Sequence, residues 1–418
     1  MKTASMTVGW SMLARFLPLC LALATVQAQP AVAPAGHPLA FIDTSFENAS
    51  PLWYDFAEDG TVRVHLNYDH ERLSPNRAAG HAHFRVQARA GSWLKMELLN
   101  LDNVWNGKPG SVTKDILQLV VSQDGRDWTP VPTGQPEAGR VTVELEMPAD
   151  SLFVARAEPY RLSDLQRFLE EIRSDPRVRI QPVGKTVQGR ELEILRIGGD
   201  TAPNRVFLRA RAHPWEPAGN WVVEGLVRRL LGEDGRSFLE RYSVCILPMA
   251  NKDGVARGGT RFNLMGKDLN RNWDKPADPH YAPENAALER WLADEIAAGR
   301  KPDLALDLHN DGSGRLHLSR PAGPEGEKHV ARMGLFEQCL RRHTWFTEGS
   351  TQPSFHNPGS LGEGFFERFG IDAAILEFHC NHIAGLKQPA LGRHWITFGQ
   401  GLAESFDAYF RELAAGSR

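Results

Sequence analysis

"RVFLRARAHPWEPAGNWVVEGLVRRLLG", Arg205 to Gly232, decides how the fold is read. Its first eight residues have the apolar content of a short buried strand, which ends at His213. "AGNWVVEGLVRRLLG" then has the spacing of a helix closed by Gly232. Between them stands "HPWEP", with His213 and Glu216 three residues apart. A turn of this kind has an ordinary explanation. Pro217 suits the first helical turn, where its missing N–H is not needed. An acidic residue at that end suits the helix dipole. The other reading is a pair of metal ligands, and the pair alone does not choose between them.

The same alternation extends outward from this stretch. "LSDLQRFLEEIRS" repeats apolar residues at helical spacing, and "GKTVQGRELEILRIG" reads as strand, turn, strand. "YSVCILPMAN", "PDLALDLHN" and "DAAILEFHC" read as strands. "PENAALERWLADEIAAG" reads as a helix with Pro283 near its start and Gly299 at its end. A last helix is expected from near Arg393 to about Ala415. Residues 158–418 are therefore expected to form an α/β domain, with a mixed, largely parallel central sheet flanked by helices. Residues 37–157 look all-β, and a β-sandwich domain is expected there. "LQLVVSQDGRDWTPVP" reads as one of its hairpins, with Asp124-Gly125 in the turn. Trp93, Trp105 and Trp128 are expected in its core, the commoner use of strand aromatics, with a sugar-binding face as the alternative.

The N-terminus reads differently. Lys2 and Arg15 precede an apolar run from Phe16 to Val26, and Val26-Gln27-Ala28 resembles a cleavage site. A signal peptide over residues 1–28, a Pro/Ala-rich spacer over 29–36, and export to the periplasm or outside the cell are expected. The run is shorter than the roughly 20 apolar residues of a membrane span, so no stable membrane insertion is expected after cleavage. Lipidation at Cys20 is disfavoured because "LPLC" lacks the usual small residue. The formal net charge of −3 over 418 residues offers no electrostatic ground for a nucleic-acid partner. After cleavage Cys245, Cys339 and Cys380 remain, which is no disulfide framework. Buried free thiols are expected, with one bridge at most. The oligomeric state is not readable.

In open α/β sheets, ligands collect at the carboxyl ends of the strands. One strand here ends at His213 and Glu216, another at His309 and a third at Glu377. Two histidines and a carboxylate suffice for a catalytic zinc with one open position. A further carboxylate nearby serves as general base. The long irregular segment from Asn251 to Asp274 holds Arg261, Asn270 and Arg271. Such loops in compact domains are usually functional, and guanidinium groups bind carboxylates and stabilise oxyanions.

Four blocks in order, "HPWEPAGNW", "PMANKDGVARGGTRFNLMGKDLNRNW", "DLHNDG" and "ILEFHC", resemble the zinc metallocarboxypeptidase family, most closely its cytosolic carboxypeptidase-like branch. The resemblance runs from about Tyr160 to Ala414. It implies one Zn2+ per chain on His213, Glu216 and His309, with Glu377 as general base and acid. It implies that Arg261 polarises the scissile carbonyl and that Asn270 and Arg271 grip a substrate's terminal carboxylate. The implied substrate is a peptide, or a peptide-like molecule, with a free carboxylate. A zinc amidase or deacylase acting on a small molecule or cell-wall peptide would use the same groups. Every chemical position is filled, which argues against a binding protein that has lost catalysis.

The departures from the family bear on substrate. No tyrosine occurs between Tyr281 and Tyr409, so none takes the place of the mobile-loop tyrosine of digestive members. Trp215 stands where the cytosolic branch has a small residue, Asn310 follows His309, and "EFHCN" differs at Phe378 and His379. His280, His329, His343, His356 and His394 are expected to be solvated, while His317, His379 and His382 fall near site segments. Glu363 and Glu367 are rival bases on a helix-like run. Arg315, Arg320 and Arg368 are candidates for an acidic side chain of the substrate, each with a surface role as the alternative.

Overall fold

The computed structural model describes residues 33–137 and 139–416. The expected signal, the first half of the spacer and Cys20 lie outside them. The first described region is built of strands. One five-stranded sheet has the order Leu39–Asp43, His83–Ala88, Ser151–Ala155, Gln118–Ser122, Thr129–Pro132. The other has the order Gly134–Glu137, Arg140–Glu146, Trp93–Leu99, Val62–Leu66, Leu52–Phe56. Strand side chains alternate between faces, and Val62, Val64, Leu94, Met96, Leu98, Val141 and Val143 meet Phe84, Val86, Leu152 and Val154 in one core. A smaller sheet joins Asp69–His70, Arg77–Ala78, Asp102–Trp105 and Lys108–Ser111.

The three tryptophans expected in this core are not equivalent. Trp105 is half-buried against it, and Trp128 is buried in a separate small cluster with Val120, Ala155 and Leu391. Trp93 is 62% exposed, which corrects the expectation. It is one residue out of phase with Leu94, Met96 and Leu98, so it points to the outer face.

Elements change from strands with one short 3-10 turn, Thr113–Asp115, to alternation between Ser151–Ala155 and the helix Leu162–Ile172. The seven-stranded sheet that follows has the order Val178–Lys185, Glu191–Ile197, Tyr242–Leu247, Asn204–Ala210, Leu304–Asp311, Asp372–His379, Leu316–His317. The four successive strands from Tyr242–Leu247 to Asp372–His379 pair in parallel, while the flanking pairings are antiparallel. The sheet is buried on both sides because its strands alternate apolar residues in both directions. Val206 and Leu208 join the helices Ala218–Leu231 and Gly392–Gly416 on one face. Phe207 and Ala305 join Pro283–Ala297 and Leu361–Phe369 on the other. In the parallel register His309 lies opposite Glu377, so the ends of those two strands bring both to one edge.

Two histidines expected in solvent are buried. His329 shares the inward face of its helix with Met333, Phe336 and Leu340, and its Nδ1 lies 2.9 Å from Asp372. His394 is buried at the start of the last helix. Cys245, Cys339 and Cys380 are free and buried, as expected. Among the described residues no helix is long and apolar enough to cross a membrane.

Candidate metal centre

Arg211 follows the strand Asn204–Ala210 and adopts φ +63°, an unusual value for a residue other than glycine. This turns the chain so that His213 and Glu216 face the sheet edge. The Arg211 guanidinium fastens the turn by donating to Pro214 O at 2.8 Å and Asn220 Oδ1 at 3.1 Å. His309 comes from the neighbouring strand. Nδ1 of His213 lies 2.9 Å from Oε1 of Glu216, and Nδ1 of His309 lies 2.7 Å from its Oε2. All three side chains are buried, and their ligand atoms lie within 4.8 Å of one another.

The outer nitrogens of the two imidazoles face carboxylates that the sequence reading did not single out. Nε2 of His213 is 3.0 Å from Asp268 Oδ1, and Nε2 of His309 is 2.8 Å from Asp307 Oδ2. Carboxylate acceptors there keep a proton on each Nε2 and leave each Nδ1 lone pair free to hold a metal ion. Asp307 was detectable in principle, because residues two apart in a strand share a face. Asp268 has only its place in the irregular loop to recommend it. Burial opposes ionisation of Asp268, but Arg261 and His213 overcome this and hold its carboxyl well below the usual range. Burial likewise opposes ionisation of Asp307 and Glu216, and Arg209 with His309, and the two histidines, respectively hold them low. Two imidazole nitrogens, one carboxylate and fixed tautomers form a donor set that suits zinc.

Around this set lies a cleft of about 590 Å³ that contains His213, Glu216, Arg261, Asn270, Arg271 and Glu377. Burial pushes the Glu377 carboxyl well above its ordinary value, and Asp311 raises it further. His317 stands beside it, with Nδ1 3.9 Å from Glu377 Oε1 and Nε2 3.6 Å from Asp311 Oδ2. Asp311, His317 and Glu377 thus form a second close group at the cleft. His379 Nδ1 instead accepts the Asn381 N–H at 3.1 Å, and His382 is exposed. Nε of Arg261 donates to Asp268 Oδ2 at 2.8 Å, and Nη2 lies 2.7 Å from the same oxygen. Asn270 Oδ1 accepts the Leu361 N–H at 2.9 Å, which fixes its amide, and Arg271 Nη1 donates to Asn270 O at 2.8 Å.

The rival residues lie elsewhere. Glu363 accepts the Gly359 N–H near its own helix start, and neither it nor Glu367 lines the cleft. Arg320 donates to Leu318 O and Gln352 O, while Arg368 is paired with Glu289 and donates to Lys275 O at 2.8 Å. Arg315, Arg320 and Arg368 do not line this cleft. The strand-built region does line it, with Glu71, Asn76, Trp105, Asn106, Lys114 and Asp115.

A buried His-Glu-His set at the ends of parallel strands, with a carboxylate and two arginines in the same cleft, can hold a metal ion beside a proton acceptor and two cationic groups. Residues 165–311 match the model of the zinc carboxypeptidase family. The chain is 32% identical over 145 residues to cytosolic carboxypeptidase 2 of Danio rerio, a match covering 32% of this chain and 20% of that protein. It is 29% identical over 200 residues to cytosolic carboxypeptidase 3 of Mus musculus, covering 45% of this chain and 20% of that one. The chain thus spans about a fifth of the length of these two relatives. The fold is shared with a metallo-carboxypeptidase from Burkholderia cenocepacia (TM-score 0.77, 23% identity, 89% of this chain and 99% of that one). It is also shared with one from Pseudomonas aeruginosa (TM-score 0.73, 23% identity, 88% and 100%). At that coverage the likeness takes in the strand-built region as well as the α/β region.

Proposed function

We propose that this chain is an exported zinc metallocarboxypeptidase that hydrolyses the C-terminal peptide bond of peptides. The observation that carries the reading is the His213-Glu216-His309 set with Glu377, Arg261, Asn270 and Arg271 in one cleft. His213, Glu216 and His309 would hold one zinc ion. When bound, zinc supplies a Lewis acid that polarises a carbonyl and acidifies water. Glu377 takes a proton from the attacking water and returns it to the leaving amine. Arg261, held by Asp268, donates to the carbonyl oxygen as it gains charge. Asn270 and Arg271 receive the free carboxylate of the substrate. Export is supported by the charged, apolar and small-residue pattern of residues 1–28.

The test is product identity, using purified mature chain, added zinc and peptides with free C-termini. Release of single C-terminal amino acids supports the reading. Zinc-dependent cleavage of acylated amino acids or cell-wall peptide amides alone, with ordinary peptides untouched, would replace it with the amidase reading. No hydrolysis of either class, with zinc bound, would overturn both.

A further inference from the structure

We infer that Trp215 is a positioning residue for the metal centre, and that the β-sandwich orients the ligand Glu216 by holding the Trp215 ring. The inference rests on the reading of Glu216 as a metal ligand. Trp215 stands between His213 and Glu216 in sequence, yet its ring is not in the core of the α/β region. It is buried in the core of the strand-built region, with residues such as Ala79, Ala82, Val112 and Ile116.

That seat is shaped for the ring. Gly80 adopts φ +138°, and a Cβ there would lie 2.7 Å from Trp215 Cζ3 and 3.2 Å from Cε3. A side chain at Gly80 would therefore displace the indole. Arg156, directly after the strand Ser151–Ala155, lays its guanidinium over the ring at 4.0 Å. Its Nη1 donates to Trp215 O at 3.3 Å. The Trp215 N–H donates to Thr260 O at 3.3 Å, beside Arg261.

The polar edge of the ring points back to the site. Trp215 Nε1–H donates to Glu216 Oε1 at 3.1 Å, the same oxygen that faces His213 Nδ1 at 2.9 Å. A carboxylate oxygen has two lone pairs. With one occupied by the indole, the other has a set direction towards the ligand nitrogens. A buried indole N–H requires an acceptor, so the ring cannot stay in its seat and release Glu216 without leaving that donor unpaired. One rigid side chain thus joins the core of one region to a ligand presented by the other. The sandwich acquires a role that its sequence does not display, as the anchor of the metal-binding turn.

The experiment compares zinc retention in the full mature chain and in Trp215→Phe, which keeps an aromatic ring but removes the N–H. Zinc-loaded protein is mixed with a chelating dye, and release rate and affinity are read together with the thermal midpoint of the metal-free protein. Trp215→Phe is expected to bind zinc about tenfold more weakly, the scale seen for partners that orient a metal ligand, with a metal-free midpoint close to wild type. Zinc retention equal to wild type overturns the inference. If Trp215→Phe does not fold, Val112→Ala is measured instead, since it loosens the seat and leaves the indole in place. Faster zinc release supports the inference, and unchanged release overturns it. A wild type that retains no zinc overturns the metal reading, and this inference with it.

Discussion

Asp307 Oδ2 accepts the Nε2–H of His309 at 2.8 Å, and its other oxygen accepts Arg209 Nε–H at 2.8 Å. Asp307 and Arg209 are both fully buried, so this carboxylate orients the candidate ligand His309 and neutralises a charge without help from solvent. Asp307→Ala leaves Arg209 buried without its counter-ion. The expected cost is about 3–5 kcal/mol of stability, read by urea unfolding of the metal-free chain. A loss well under 1 kcal/mol would show that Arg209 finds another partner.

Metal content tests the ligand set directly. The mature wild type is expected to carry about one zinc per chain, from an open site with three protein ligands. His309→Ala removes one of the two imidazoles and is expected to lose zinc and turnover together. Elemental analysis and activity on the same preparations check this, and full zinc occupancy in the variant would move the metal elsewhere.

Glu377→Gln keeps nearly the same shape but cannot take a proton from water. We expect zinc content and thermal midpoint near wild type, with kcat lower by about 10²–10⁴-fold, the usual contribution of a general base. A variant with most of its activity intact would exclude Glu377 as the base.

Arg271→Ala is expected to act on selectivity. Wild type should prefer peptides with a free C-terminus over matched C-terminal amides, because the amide carries no charge for the guanidinium. The variant should lose most of that preference, a change of about 2–5 kcal/mol for a confined charge pair, while still holding zinc. The ratio of kcat/KM for acid and amide peptides in both proteins gives the answer. An unchanged ratio would favour the amidase reading.

His81 predicts a pH dependence of folding. It lies where the strand-built region meets the loop of Arg261, with Nε2 2.9 Å from Asn48 O and its N–H 3.3 Å from Thr260 Oγ1. Burial pulls its pKa down to about 4, against an ordinary value of 6.5. The folded chain therefore holds His81 neutral where the unfolded chain takes up a proton. This stability is fully present above pH 6.5 and is lost as pH falls towards 4, about 3 kcal/mol in all. His81→Gln is expected to show correspondingly less loss over that window in urea titrations at fixed pH values. Parallel curves for the two proteins would refute the assignment.

The α/β class, the main strands of its sheet and the clustering of His213, Glu216, His309 and Glu377 at strand ends were legible in the sequence, whereas the helix Pro324–His343 was not among the expected elements. Strand and helix periods are local properties of the chain, and ligands at strand ends follow from the way parallel sheets are built. Asp268 and Asp307 were not singled out, because an acidic residue in a loop or strand has no mark until its histidine partner is placed at hydrogen-bond distance. His329 read as solvated because its contact is with Asp372, forty-three residues away. Trp93 read as core because aromatic content was weighed without the phase that sets it opposite Leu94, Met96 and Leu98. The place of Trp215 was decided only in three dimensions. Its own turn gives no sign that the ring is buried in the sandwich, beneath Arg156 and against Gly80. Packing between segments far apart in sequence depends on shape and available space, and those exist only once both regions have folded against each other.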